Sequence, residues 1–360
     1  MHSDPIIARV METWMPRFLG GGIAYYDILT ALERIETWDD WGPVWMEMAE
    51  MHESLAQEAW DQGRQITAVQ GFQTASAYYH IAYFVYMRDM EIHNKGLQKM
   101  VECHERALPY MEPAVEKIKI PFADTHILGL FSKPKGDGPF PVLIVLPGLD
   151  STKETRHRAR GTYLRRGLAV LSLEGPGQGE VSQWMKIRPD YEVAATAAID
   201  YLETREDVDA SRIGMYGMSM GGYYAPRSAA FEPRITAVAG SCGAHTYSEC
   251  FVVDTRPPVS REAFMYYTGS KNEEEAFEFA KRITLEGVAE KITCPLLVIH
   301  GKLDPLVPWE QGQRIVDQAS SADKQFVLFE DGIHSCSNVR YKAGPLVTNW
   351  LTEKLGGTLV

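Results

Sequence analysis

The sequence predicts an α/β protein in two parts. An all-helical N-terminal cap domain covers 1–115, and a doubly wound, mostly parallel sheet domain covers 116–360, with a lid insert at about 243–290 after its sixth strand. Three observations carry this. Before residue 115 the apolar residues recur at helical spacing; after 116 they come in short β-rich runs separated by helical stretches; and one long excursion interrupts that second rhythm.

In the first part, "WMEMAEMHESLAQEAW" puts Met48, Met51, Leu55 and Ala59 on one helical face. "DQGRQ" and "MRDMEIHNKG" read as breaks, "YYHIAYFVYM" is too apolar for a surface helix, and Pro109 and Pro113 end the last helix. An ordinary helical bundle accounts for this part better than a weak spacing of roughly 34 residues suggestive of stacked helix pairs.

The second part opens with "KIKIPF" and "HILGLFS", read as a hairpin. "PVLIVLP", "GLAVLSLEG", "RIGMYG", "ITAVAG", "PLLVIHG" and "QFVLFEDG" follow. Several are apolar almost throughout, as strands covered on both faces must be, and "YEVAATAAIDYLET" reads as a helix between two of them.

The chain has 360 residues, 45% of them hydrophobic and 23% charged, a composition suited to a globular core. Acidic residues outnumber basic ones 48 to 36, and the net charge of −12 opposes general attraction to nucleic acid or anionic lipid. No apolar run approaches the roughly 18 residues of a membrane helix. Five cysteines with no CxxC pair point to reduced thiols, no metal site and a cytoplasmic setting. The expected partner is a small molecule.

Chemistry concentrates at "GMYGMSMGG". A serine held where a strand turns sharply into a helix needs neighbours two residues away without side chains, and Gly217 and Gly221 flank Ser219 in that way. Serine at its ordinary pKa is a poor nucleophile and requires a base oriented by an acid. Asp304 in "HGKLDPLVP" and His334 in "EDGIHSC" follow the next strands in the order serine, acid, histidine. Asp331 and Glu330 compete for the acid's role but adjoin the histidine in sequence; His300 reads as structural or supporting, and His245 as a substrate contact. Developing negative charge needs backbone donors, for which Met220 after the nucleophile and Leu149 in "PGLDSTKE" are the expected amides. Asp150 and Lys153 read as caps of the following helix.

Together these residues resemble the α/β-hydrolase fold. The helical N-terminal domain, "PGLDSTKE", "LEGPGQGE", "GMSMGG", "GKLDPLVP" and "DGIHSC" are similar to the branch of 2,6-dihydroxypseudooxynicotine hydrolase and the fungal polyketide-shortening pigment hydrolases. Pro147 departs from the glycine or histidine many relatives carry there. The resemblance implies hydrolysis of a carbon–carbon bond next to a ketone through an acyl-serine, without cofactor, in a homodimer. It also implies assistance from Glu249. Carbon leaves far less readily than ester oxygen, so an aromatic or polyketide-like substrate that stabilises the leaving carbanion is expected. Most N-terminal aromatics should be core, but Arg17, Phe18, Tyr25, Tyr79 and His80 supply candidate substrate contacts. A carboxylesterase or thioesterase on small aromatic esters is the alternative within enzymes. A catalytically idle, hydrolase-like interaction protein is the alternative outside them.

Overall fold

The structure is a computed structural model that describes residues 2–358. It divides into two compact units, Met1–Val115 with Pro257–Tyr266, and Glu116–Arg256 with Tyr267–Val360.

In the first unit, helices α1 (Pro5–Gly20), α2 (Tyr25–Arg34), α3 (Trp41–Asp61), α4 (Gln65–Tyr83) and α5 (Met90–Ala107) surround a core rich in aromatics. Trp14, Phe18, Trp41, Trp45, Phe72, Tyr78, Tyr79 and Phe84 are all fully buried in it. Each such side chain contributes about 1.5–3 kcal/mol by leaving water. Helix α1 starts where Asp4 Oδ1 accepts from the amides of Ile6 and Ile7, with Pro5 at the first helical position.

Two sequence expectations are corrected here. Met48 and Ala59 are buried, but Met51 and Leu55 are exposed; the inward face of α3 runs instead through Trp45, Met48, Ala49, Ala56 and Ala59. Two registers of apolar spacing compete on this helix, and the one that buries tryptophan wins. The break at "MRDMEIHNKG" ends at Asp89, whose carboxylate caps α5 by accepting from Glu91 and Ile92 amides. The helix runs straight through Gly96, where an added Cβ would lie 3.1 Å from Tyr83 Cβ. That glycine serves close packing of α5 on α4 rather than a turn.

The second unit is built on eight strands, β1 (Glu116–Phe122), β2 (Thr125–Ser132), β3 (Phe140–Leu146), β4 (Ala169–Glu174), β5 (Val208–Met218), β6 (Ile235–Ser241), β7 (Leu296–Gly301) and β8 (Lys324–Phe329). Their order is β1-β2-β4-β3-β5-β6-β7-β8. The β1–β2 hairpin and the β2–β4 pair are antiparallel; every later pairing is parallel. The connections carry α6 (Lys153–His157), α7 (Arg160–Leu164), α8 (Glu192–Glu203), α9 (Gly221–Phe231), α10 (Tyr247–Phe251), α11 (Pro258–Thr268), α12 (Glu273–Arg282), α13 (Trp309–Gln318) and α14 (Arg340–Lys354). Most of α11 belongs to the first unit, so the 243–290 insert is shared between units rather than forming one excursion.

Strand alternation sorts the core. Leu143, Val145, Val170, Tyr216, Ala239, Leu297 and Ile299 join Tyr163 and Leu164 of α7 and Val347 and Leu351 of α14 in one cluster. On the opposite face the first turn of α9 lies almost against the chain just past β6. A Cβ on Gly243 would sit 2.2 Å from Gly222 O, so only glycine admits that approach. The helix that follows the serine is thereby locked to the sheet.

Candidate active site

Ser219 stands between β5 and α9 with φ 57, a left-handed conformation that costs a non-glycine residue about 1–2 kcal/mol. The surroundings enforce it. Ser219 N donates to Ser241 O at 2.8 Å, and Gly222 N donates back to Ser219 O at 2.8 Å. A Cβ at Gly217 would lie 1.8 Å from Gly221 O, and one at Gly221 would lie 2.7 Å from both Leu146 O and Pro147 O. The turn therefore requires glycine on both sides.

The serine hydroxyl points to histidine. Ser219 Oγ lies 2.8 Å from His334 Nε2, and His334 Nδ1 lies 2.7 Å from Asp304 Oδ2. Asp304 sits in the loop after β7, with its side chain fully buried. Its Oδ1 accepts from the amides of Leu306 and Val307. Burial works against its charge, but His334 and His300 outweigh it and hold the carboxyl well below the usual range. An ionised Asp304 requires a proton on His334 Nδ1, which leaves the Nε2 lone pair facing the serine. His300 Nε2 donates to Val307 O at 3.0 Å and lies 3.6 Å from Asp304 Oδ2, a supporting position beside the acid. Asp331 and Glu330 instead meet Lys342 and Lys302.

Cys242 Sγ shares a 4.8 Å cluster with ligand atoms of Asp304 and His334. Burial, then the Cys336 thiol, push its pKa well above the usual thiol value. A neutral thiol beside two groups already bonded to each other is packing beneath the triad.

The two expected oxyanion donors lie on either side of the serine. Met220 caps α9, and a Cβ on Gly148, next to Leu149, would approach Ser219 Cβ to 3.1 Å. Neither the Met220 nor the Leu149 amide takes part in the backbone bonds of these turns among the described residues.

Other expectations change. His245 is fully buried, with Nε2 2.7 Å from Gln318 Oε1 and Nδ1 3.0 Å from Thr246 Oγ1, so both ring nitrogens are engaged by protein. Glu249 is bound by Arg314 through both carboxylate oxygens and by Gln311 Nε2. Arg314 holds its pKa below the ordinary value, and a carboxylate kept ionised has no proton to deliver. Phe18 packs edge-on to Phe84, Tyr79 donates to Glu53 Oε2, and His80 packs on Tyr83 and Phe84, all within the first unit's own core. Arg17 lies 4.5 Å over the Phe84 ring, and Tyr25 is half-exposed against Tyr26. Lys153 is no helix cap: Thr152 Oγ1 caps α6, while the buried Lys153 ammonium meets Glu154, Glu174 and Glu180. Sequence reasoning assigned no role to Gln178 of "LEGPGQGE", although its amide reaches Pro147 O at 2.7 Å.

A serine, a buried carboxylate and an imidazole in this order along the chain, at the loops after β5, β7 and β8, define a serine hydrolase of the α/β-hydrolase fold. Matched over residues 37–356, the chain belongs to the FrsA-like esterase family. It is 30% identical over 342 residues to 2,6-dihydropseudooxynicotine hydrolase of Paenarthrobacter nicotinovorans, covering 94% of this chain and 91% of that one. The crystal structure of 2,6-dihydroxy-pseudo-oxynicotine hydrolase superposes with a TM-score of 0.85 at 29% identity, covering 95% of each chain. The α/β hydrolase xenA of Xenoacremonium sinensis is 34% identical over 243 residues, 62% of this chain but 57% of its own length.

Proposed function

We propose that the protein hydrolyses a carbon–carbon bond next to a ketone in an aromatic or polyketide-like small molecule. His334 Nε2 takes the Ser219 proton as Oγ bonds to the carbonyl carbon, and the amides of Leu149 and Met220 receive the oxyanion. Collapse breaks the bond to the neighbouring carbon, which leaves as an enol or electron-rich ring carbon with the proton held by His334. Water, deprotonated by His334, then cleaves the acyl-Ser219 ester, giving a carboxylic acid and the free serine.

The observation that carries this reading is the continuous path of 2.7 Å and 2.8 Å contacts from Asp304 through His334 to Ser219. The carbon–carbon specificity is supported by similarity along nearly the whole chain to a hydrolase named for a ketone-bearing pyridine substrate. The esterase description of the matched family favours ester cleavage as the second reading. Turnover of an aryl 1,3-diketone compared with its matched ester decides between them: a preference for the ester by orders of magnitude removes the carbon–carbon reading. A cytoplasmic homodimer belongs to the same proposal, and light scattering of the purified protein tests the dimer.

A further inference from the structure

The loop 147–153 carries the Leu149 amide, and the segment after β4 grips it at two points. On the near side Gln178, essentially inaccessible to solvent, donates from Nε2 to Pro147 O at 2.7 Å. Its Oε1 accepts from Gly175 N and from Tyr191 Oη, each at 2.9 Å. That fixes which end of the amide carries the donor, because both acceptor bonds point at the oxygen. Tyr191 is itself stacked on Tyr224 at 4.0 Å between ring centroids. On the far side Glu174 Oε1 accepts from Lys153 N at 2.8 Å, and Oε2 accepts from Lys153 Nζ at 3.0 Å. Between the grips Gly148 N donates to Ser151 Oγ.

We propose that Gln178 is a positioning residue for the oxyanion hole: by holding the Pro147 carbonyl it aims the Leu149 amide at the oxygen of the carbonyl attacked by Ser219, while the Lys153–Glu174 pair anchors the loop's other end. The inference rests on the reading of Ser219 as nucleophile. A donor is effective at about 2.7–3.1 Å from the oxyanion, and removing one costs roughly 10²–10³ in kcat. Misplacing it should cost somewhat less, and should leave substrate binding nearly untouched, since this bond forms in the transition state.

Gln178→Glu separates position from fold. It keeps the size and the acceptor oxygen for Gly175 and Tyr191, but when ionised has no proton for Pro147 O. With p-nitrophenyl acetate as the probe substrate, kcat at pH 9.5, above the value of about 8 to which burial raises the nearby Glu174 carboxyl, should fall about 10–100-fold with KM changed less than about threefold. The ratio of variant to wild-type kcat should climb as pH falls and the new carboxyl gains a proton to donate. Tyr191→Phe, which frees one side of the Gln178 oxygen and keeps the ring stack, should lower kcat a few-fold at constant KM. If Gln178→Glu fails to fold, this variant decides alone. Wild-type kcat in the folded variants, or a loss confined to KM, overturns the proposal. Ser219→Ala, run alongside, keeps the two readings apart: if it retains turnover, the nucleophile assignment fails; if it is dead while both clamp variants are fully active, only the clamp fails.

Discussion

Asp304 Oδ2 lies 2.7 Å from His334 Nδ1, and the same carboxylate is held on its other oxygen by two backbone amides. The acid is oriented before any substrate arrives. Asp304→Asn keeps the shape but presents an N–H or a weaker acceptor to the imidazole, favouring the tautomer whose Nε2 carries hydrogen. The expected result is a fall of about 10³–10⁴ in kcat with little change in KM, read by steady-state kinetics.

The backbone of Ser219 is held in the left-handed region. Ser219→Ala is expected to abolish labelling by a fluorophosphonate and leave stability nearly unchanged. Ser219→Gly is expected to be equally inactive yet more stable by about 1 kcal/mol, because glycine tolerates φ 57 without penalty. For a domain of this size that is a rise of about 2–4 °C in the thermal midpoint. Equal midpoints for the two variants would mean the turn is unstrained.

Gly217→Ala places a methyl group 1.8 Å from a backbone carbonyl that cannot swing aside. The expected outcome is loss of soluble, fluorophosphonate-reactive protein. Gly344→Ala, where the added carbon meets no other part of the chain within 4 Å beyond its own helix, is the control and should leave soluble, reactive protein.

The Glu249–Arg314 ion pair separates an anchor from an acid. Glu249→Gln keeps a polar contact to Gln311 and Arg314, and kcat is expected to stay within about threefold. A loss of orders of magnitude in release of the carbon fragment, with turnover of an ester substrate at Ser219 intact, would give Glu249 the proton-delivery role that its contacts argue against.

The buried cluster behind the loop 147–153 sets a pH dependence of stability. Lys153 and Lys117 face three carboxylates, Glu154, Glu174 and Glu180. Burial first, opposed by Lys153 and reinforced by Glu154 and Glu180, pushes Glu174 up to about 8 from its ordinary value of 4.5. Between those pH values the folded chain retains a proton that the unfolded chain has released, so this contribution to stability declines as pH rises from 4.5 to 8 and is gone above that window. Glu174→Gln, which does not titrate, is expected to flatten that slope in denaturant unfolding series relative to wild type. An unchanged slope would place the proton elsewhere.

Much of this was legible in the chain itself. The eight runs named from the sequence correspond to the eight strands: β4 and β7, buried throughout, read as continuous hydrophobic runs, whereas β1 reads by its alternation. The glycines around Ser219 mark the elbow because the steric demand there is local. Asp304 and His334 could be named because each follows a strand that announces itself. Sequence pattern misleads where two registers compete, as at Met51 and Leu55, or where a residue's partner lies far along the chain.

The sequence by itself determined the sheet, the serine turn and the order of the triad, because each rests on short-range backbone sterics or on hydrophobic periodicity within about ten residues. Only the tertiary structure decided that Gln178 would grip Pro147, 31 residues away, that Lys153 would be buried among carboxylates, and that Glu249 would be taken by Arg314, 65 residues away. Hydrogen bonds and ion pairs between polar side chains leave no periodic trace in sequence; they exist only once packing brings their ends within 3 Å.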